Sequence, residues 1–177
     1  MRLGVPKEPE NETRVAIVPS SMKKLTKAGF EVYVQQGAGE KANYNDSQYE
    51  DAGAKIVSRE EALSCPNIIC INFPGTDGIS KNSNVACVAD PFRNSDYVKQ
   101  CLSANITLMS MDMIPRRLSR AQSMDVNSSQ DNLAGYKAVL LGASNVPKGI
   151  PMMTTSAGTV RPAKVVVMGS GVAGLQA

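Results

Sequence analysis

The chain has 177 residues, of which 42% are hydrophobic and 20% are charged, so its composition favours an ordinary globular protein with a substantial core. Lys and Arg outnumber Asp and Glu by 19 to 16, and the resulting formal net charge of +3 is too small to suggest nucleic acid as a partner. We expect neither a signal peptide nor a transmembrane segment, because no apolar run reaches the ~18 residues that span a bilayer, and the four cysteines lack the spacing of a disulfide framework or a metal site.

Short apolar runs alternate with helical patterns in the first ~125 residues. A continuous apolar run between Pro66 and Pro74 is typical of a strand buried in a parallel sheet. Ser20 or Ser21 as N-cap, with Gly29 as the end, indicates a helix after the first strand. The predicted strands are RLGVP, FEVYVQQ, AKIV, NIICINF, NVACVA and ITLMSM, and the predicted helices are PSSMKKLTKAG, NDSQYEDAG, SREEAL and NSDYVKQCLSAN. This alternation predicts a doubly wound α/β domain with a parallel sheet.

One long helix and the start of a second domain follow. A helical pattern extends from Ser119 to about Asn145, and a connector with several Pro and Gly residues leads to a final strand at Lys164–Met168. We therefore predict an N-terminal α/β domain over residues 1–127. A crossover helix and the truncated start of a Rossmann NAD-binding domain are predicted over residues 128–177.

The C-terminal stretch KVVVMGSGVAGLQA has the layout of a dinucleotide-binding fingerprint. Gly169, Gly171 and Gly174 match the G-x-G-x-x-G spacing, in which the glycines make a tight turn, let the backbone approach a pyrophosphate and let the helix pack closely. The candidate cofactor-binding set is completed by the intervening residues Ser170, Val172 and Ala173. The alternative is a glycine-rich turn without a ligand, but a strand before the motif and a helix after it favour nucleotide binding.

A second polar stretch precedes the predicted long helix and enters it. Three arginines lie where a strand ends and a helix begins, which is where open α/β sheets bind ligands: Arg116, Arg117 and Arg120. Gln122, Asp125 and Ser128 follow three residues apart, so a helix would align an amide, a carboxylate and a hydroxyl on one face. Such an array suits a polar planar group. The alternative is a solvated helix face with ordinary N-terminal acidic and capping residues.

The chain resembles the alanine dehydrogenase/pyridine nucleotide transhydrogenase family. It is similar to the N-terminal half of domain I, the NAD(H)-binding component of proton-translocating NAD(P) transhydrogenase, in the stretches NETRVAIVPSSMKKLTKAGFEVYVQQGAG, MDMIPRRLSRAQSMDVNSSQDNLAGYKAV and PAKVVVMGSGVAGLQA. The resemblance covers nearly the whole chain. It implies a catalytic set that holds the nicotinamide end of the nucleotide: Arg117, Gln122, Asp125 and Ser128. Arg116 and Arg117 stand where one arginine is expected, so the choice between them stays open.

The resemblance also implies an activity. NADH would pass its hydride directly to NADP on a separate domain, while a membrane domain couples that step to proton translocation. The expected cofactor is NAD. The expected partners are the NADP-binding domain, the proton-translocating membrane domain and a second copy of the chain in a homodimer. The chain would lie on the cytoplasmic or organelle matrix side of a membrane, peripheral to it through partner segments.

Two other functions are weighed. Alanine dehydrogenase must reduce an imine derived from pyruvate, for which the family uses an arginine, a lysine and a histidine. The chain keeps Arg14 but has no histidine and no lysine between Asn67 and Gly75, so this chemistry is disfavoured. The other alternative is a non-catalytic, truncated α/β scaffold whose fingerprint serves no ligand.

The position of the fingerprint raises a further expectation. An acidic residue on a following strand should grip a ribose about 20 residues after the motif, and the sequence ends before it. We therefore expect a chain cut through its second domain, which alone is inactive and binds NADH weakly or not at all. The apolar residues of Lys164–Met168 should lie exposed, and either pack on the first domain or exchange with a second copy.

Overall fold

The computed structural model describes residues 1–177, which form two compact units, Met1–Ile114 and Pro115–Ala177. The division falls between Ile114 and Pro115. The domain boundary between residues 127 and 128 stays a prediction.

Six parallel strands form the sheet of the first unit, in the order β3-β2-β1-β4-β5-β6. They are β1 (Arg2–Val5), β2 (Glu31–Gln35), β3 (Lys55–Val57), β4 (Asn67–Ile69), β5 (Asn84–Cys87) and β6 (Thr107–Ser110). The strand order reverses between β1 and β4, where Leu3 lies opposite Asn67, and such a switch point opens a crevice at the carboxyl ends of the strands. The prediction of a doubly wound α/β unit is confirmed, and each predicted strand of this unit is present.

Four helices connect these strands: α1 (Met22–Lys27), α2 (Asp46–Asp51), α3 (Arg59–Leu63) and α4 (Ser95–Ala104). A capping box begins α2, because the Asn45 side chain accepts from the Gln48 N–H at 3.0 Å and the Gln48 side chain accepts from the Asn45 N–H at 2.9 Å. Ser21 is the N-cap of α1 as predicted, although its side chain makes no capping hydrogen bond and a 3-10 turn at Pro19–Ser21 leads into the helix.

Two hydrophobic clusters fill the first unit. The cluster around β1 and β2 contains Tyr49, whose buried hydroxyl donates to the carbonyl oxygen of Ile17 at 2.8 Å. Burial raises the pKa of Tyr49 to about 12. The cluster around β4 and β5 contains Ile68 together with buried thiols. All four cysteines of the chain are buried and free.

Glu8 joins the ends of β1 and β4 at the switch point. Its buried carboxylate accepts hydrogen bonds from the Ile71 N–H at 2.5 Å, the Asn72 N–H at 3.0 Å and the Asn72 side-chain amide at 3.1 Å. The cost of burying a carboxylate is offset by these donors. A side chain of the protein itself therefore links the two strand ends beside the crevice.

The second unit contains α5 (Val126–Asn145), an antiparallel hairpin of β7 (Met153–Thr155) and β8 (Gly158–Val160), and α6 (Val172–Gln176). The prediction that the long helix starts at Ser119 is wrong. Gln122–Met124 form a 3-10 turn, and Asp125 leaves the helical region with ψ of 88° and caps α5 through its side chain. The hairpin lies in a stretch for which the sequence predicted only a connector.

No strand forms at Lys164–Met168, contrary to the sequence prediction. The backbone amides of Val165 to Met168 donate no hydrogen bond, and Val166 and Met168 are 83% and 96% exposed. A strand exists only where neighbouring backbones pair, so an apolar run without a neighbour remains irregular. The predicted exposure of this run is confirmed. Its exchange with a second copy stays a prediction.

Candidate functional site

The glycine-rich turn lies immediately before α6. Gly169 has φ of +128°, a conformation that side chains disfavour, so a glycine is required at the start of the turn. A Cβ at Gly174 would collide with the carbonyl oxygen of Gly169, so the first turn of α6 packs directly on the backbone that precedes it. Ser170 and Gly171 complete the turn. The first residues of α6 are Val172, Ala173 and Gly174.

The turn leaves open space beside Gly171. A Cβ at Gly171 would meet no atom within 4 Å, so the backbone there can be approached closely. Gly171 is also the N-cap of α6, with ψ of −177°, and the N–H groups of Val172 and Ala173 have no partner within the helix. Open backbone donors beside a glycine without neighbours suit an anionic pyrophosphate.

Gly135 sets the packing of α6 on α5. It is buried in the middle of the helix, and a Cβ there would collide with the carbonyl oxygen of Ala173. The two helices therefore touch backbone to backbone at a residue of the glycine-rich motif itself. Sequence reasoning missed this role, although a glycine inside a helix costs about 1 kcal/mol relative to alanine and so signals a packing demand.

A polar cluster forms at the start of α5. Arg116 Nε lies 3.1 Å from Asp125 Oδ2, and Arg116 Nη2 lies 2.6 Å from Ser128 Oγ and 3.5 Å from Asp131 Oδ2. The Ser128 hydroxyl donates to Asp125 Oδ2 at 2.6 Å, and the Ser128 N–H donates to Asp125 Oδ1 at 2.9 Å. Asp125, Ser128 and Asp131 thus share one side of the helix start, each bound to the same guanidinium or to one another.

The cluster holds Asp125 as a carboxylate. Hydrogen bonds from the Ser128 side chain and backbone lower the pKa of Asp125, with a smaller contribution from the Arg116 guanidinium. The Asp125 side chain is 10% exposed, whereas those of Arg116 and Asp131 are about half exposed. Asp125 Oδ1 accepts from the Ser128 N–H and has a second lone pair, with which it can accept a hydrogen bond from an amide or a hydroxyl of a ligand.

Only some of the predicted residues come together. Asp125 and Ser128 are in direct contact, but Gln122 lies in the preceding 3-10 turn and is outside the row predicted on one helix face. Arg116, rather than Arg117, binds Asp125. Arg117 is exposed and forms no ion pair, so its cationic group is open to an anion. Asp131 was not singled out from sequence, although its spacing of three from Ser128 continues the same row.

The switch-point crevice of the first unit contains a cavity of about 170 Å³, lined by Lys7, Glu8, Arg59 and Asn72 among others. Arg14 is held by Glu12, since Nε and Nη2 lie 2.8 Å and 2.7 Å from the two carboxylate oxygens. The hydrogen bonds from Arg14 lower the pKa of Glu12 to about 2. The guanidinium fork that would bind a substrate carboxylate is therefore occupied by a carboxylate of the same chain.

No helix in the structure combines the length and the apolar character needed to cross a membrane.

Family models match nearly the whole chain. Residues 4–134 match the alanine dehydrogenase/PNT N-terminal domain, and residues 138–177 match the alanine dehydrogenase/PNT C-terminal domain. The resemblance stated from sequence is confirmed by these matches.

Similar proteins and solved structures agree with the family-model matches. The chain is 44% identical to an NAD(P) transhydrogenase subunit alpha protein of Rhodospirillum rubrum over 188 residues, which cover 100% of this chain and 49% of that protein. A crystal structure of transhydrogenase from Sinorhizobium meliloti matches with a TM-score of 0.95 at 41% identity, over 99% of this chain and 54% of that one. An L-alanine dehydrogenase structure matches with a TM-score of 0.85 at 27% identity, over 99% and 50%. The chain thus spans about half the length of these relatives.

Proposed function

The chain belongs to the alanine dehydrogenase/pyridine nucleotide transhydrogenase family, and on that premise we propose that it is a portion of the NAD(H)-binding component of a proton-translocating NAD(P) transhydrogenase. The family binds NAD(H), and NAD is the proposed cofactor. The observation that carries the proposal is the glycine turn, where Gly174 packs on the Gly169 carbonyl while Gly171 faces open space.

The backbone of residues 169–174 would hold the pyrophosphate. Its N–H groups are open at the start of α6, and the close packing of Gly135 on Ala173 fixes α6 against the 20 residues of α5. Asp125 and Ser128 would orient the carboxamide or ribose by accepting and donating hydrogen bonds. Arg117 would meet a phosphate or the carboxamide oxygen, and Gln122 would approach the same group from the 3-10 turn.

When bound, NADH supplies a hydride that is accepted by NADP on a partner domain. The residues of this chain then act by position, since direct transfer between two nicotinamides requires aligned rings at close range. No side chain has to donate or remove a proton. The lack of histidine in the chain is consistent with this mode of action.

The partners belong to the same proposal. They are an NADP-binding domain, a proton-translocating membrane domain and a second copy of the chain in a homodimer. The chain would then act on the cytoplasmic or matrix side of a membrane, attached to it through partner segments. The relatives named subunit alpha support an assembly of several subunits.

Alanine dehydrogenase activity is the second candidate and is disfavoured by the first unit. Arg14 is bound by both carboxylate oxygens of Glu12, and Glu8 already occupies the donors of Ile71 and Asn72 at the crevice. The intact protein should therefore fail to aminate pyruvate with ammonia and NADH. Amination well above background would reverse the choice between the two activities.

Asp125→Asn tests the transhydrogenase proposal in the intact protein combined with its NADP-binding partner. Asn remains a good N-cap, so α5 is preserved while the carboxylate charge is lost. We expect hydride transfer, measured by stopped flow, to slow by about tenfold or more with little change in thermal midpoint. Asp96→Asn, which changes an exposed ion pair with Lys99, is the control that should transfer at the wild-type rate.

Two outcomes would contradict the proposal. Transfer by Asp125→Asn at the wild-type rate with unchanged NADH affinity would remove this residue from the site. A wild-type protein that shows no heat of binding with NADH by titration calorimetry would favour the non-catalytic scaffold.

A further inference from the structure

The Arg116 guanidinium is held between two carboxylates that are six positions apart in sequence. Asp125 caps α5, and Asp131 lies within the helix, so both face the same side of its first turns. Arg116 bonds Asp125 through Nε and reaches Asp131 through Nη2, with Ser128 Oγ between them. The planar fork of an arginine is fixed when both ends are bound.

Asp131 contributes little to stability by itself. Its side chain and that of Arg116 are about half exposed, and the shortest distance between the charged atoms is 3.5 Å. Solvent-exposed ion pairs of this kind have small energies, because water screens the charges and two flexible side chains are ordered. The contact between Asp131 and Arg116 therefore affects the position of the Arg116 guanidinium more than the stability of the unit.

Arg116 shares the Asp125 carboxylate with Ser128. Asp125 Oδ2 accepts from both Arg116 Nε and the Ser128 hydroxyl, and Oδ1 accepts from the Ser128 N–H. An Arg116 released from Asp131 could turn its fork fully onto Asp125 and occupy the acceptor positions that a ligand needs. It could also turn away to a ligand phosphate and compete with Arg117, which forms no ion pair.

We infer that Asp131 is a positioning residue, which clamps Arg116 at the start of α5 so that Asp125 Oδ1 keeps an acceptor position for the nicotinamide end of the nucleotide. This inference rests on the proposed function for its ligand, and on the geometry of the cluster for the clamp. It assigns the paired arginines separate roles. Arg116 is bound within the protein, and Arg117 is left for the ligand.

The clamp is tested first without nucleotide. In the nucleotide-free protein, the Arg116 Nε–H gives an NMR signal that we expect to be sharp in the wild type and identified by its loss in Arg116→Lys. Asp131→Ala should broaden or shift the signal, because Nη2 then keeps only the Ser128 hydroxyl as a partner, and Asp131→Glu should restore it. Asp96→Ala removes an exposed ion pair elsewhere and should leave the signal unchanged. A sharp, unshifted signal in Asp131→Ala would overturn the clamp.

The positioning role is tested by kinetics on the same variants of the intact protein with its NADP-binding partner. Asp131→Ala should lower the hydride transfer rate at saturating NADH by about tenfold while the NADH dissociation constant changes by less than about threefold. The thermal midpoint should stay at the wild-type value, and Asp131→Glu should recover most of the rate. A wild-type rate in Asp131→Ala, or a loss that tracks the thermal midpoint without rescue, would overturn the role.

The two tests separate this inference from the proposed function. A wild-type protein that neither binds NADH nor transfers hydride would refute the proposed function and the positioning role with it, while the NMR comparison would still decide the clamp. A wild type that transfers normally together with an unaffected Asp131→Ala would refute the positioning role alone.

Discussion

The two units contain similar apolar segments, which are buried in the first unit and exposed in the second. In the first unit, Val5, Val34 and Val85 are fully buried because each lies in a strand with parallel neighbours on both sides. In the second unit, Val165 and Val166 stand in an equally apolar run and are mostly exposed. Both hydrophobic clusters lie in the first unit. Burial of a valine run therefore depends on paired backbone neighbours more than on its own composition.

The largest difference between the units should be in the unfolding free energy lost by Ile68→Ala and by Val166→Ala. Ile68 is 1% exposed in the cluster around β4, so its truncation leaves a cavity and should cost about 2–5 kcal/mol of unfolding free energy. Val166 is 83% exposed, and its truncation should stay within about 0.5 kcal/mol. Urea unfolding followed by circular dichroism measures both. Equal losses would mean that Val166 is covered in solution.

In the second unit, Gly135→Ala and Gly142→Ala test whether the contact between α5 and α6 supports NADH binding. Both glycines lie in α5, but a Cβ at Gly135 would collide with Ala173 whereas a Cβ at Gly142 would meet no atom within 4 Å. Gly135→Ala should displace α6 and weaken NADH binding to the intact protein by about tenfold, measured by calorimetry. Gly142→Ala should keep the affinity and stabilise the helix by about 0.5–1 kcal/mol. Unchanged affinity in Gly135→Ala would separate the helix contact from the nucleotide site.

Alkaline pH should affect the first unit through Tyr49. Its ordinary pKa is 10.0 and burial raises it to about 12, so the folded state favours the protonated phenol. The resulting stability is fully present below pH 10 and is lost as pH rises toward 12. Tyr49→Phe should cost about 1 kcal/mol at neutral pH, because the bond to Ile17 is lost, and should show a shallower decline at alkaline pH. Chemical unfolding at each pH measures the stability of both proteins. If the variant and the wild type lose stability in parallel, Tyr49 is not the group responsible for the alkaline decline.

Sequence predicted the first unit well because its signals are local. Continuous apolar runs between Pro and Gly mark buried strands, and Asn45 marks a helix start, whichever elements surround them. The run at Lys164–Met168 carries the same local signal, yet no strand forms, since pairing depends on a second segment. The start of α5 was misplaced because helical spacing alone does not reveal that the Asp125 carboxylate folds back to cap the helix.

The candidate site was predicted incompletely for the same reason. Spacing identified Asp125 and Ser128, which do meet, and the glycine fingerprint identified the turn before α6. Spacing could not choose between Arg116 and Arg117, because adjacent residues carry identical groups and only the path of the backbone decides which one turns inward. Asp131 escaped notice because its significance arises from the arginine it binds.

The adjacency of β1 and β4 has a consequence for how the chain finds its fold. Pairing Leu3 with Val32 closes a loop of 29 residues, whereas pairing Leu3 with Asn67 closes one of 64. Loop entropy grows only logarithmically, so the longer closure costs about 0.7 kcal/mol more. The half-sheet β1-β2-β3 is built from local contacts, and β4-β5-β6 is built in the same way. The long sequence separation between β1 and β4 should therefore affect the folding rate more than the stability of the native state. The Glu8 carboxylate forms its hydrogen bonds where these two strands meet.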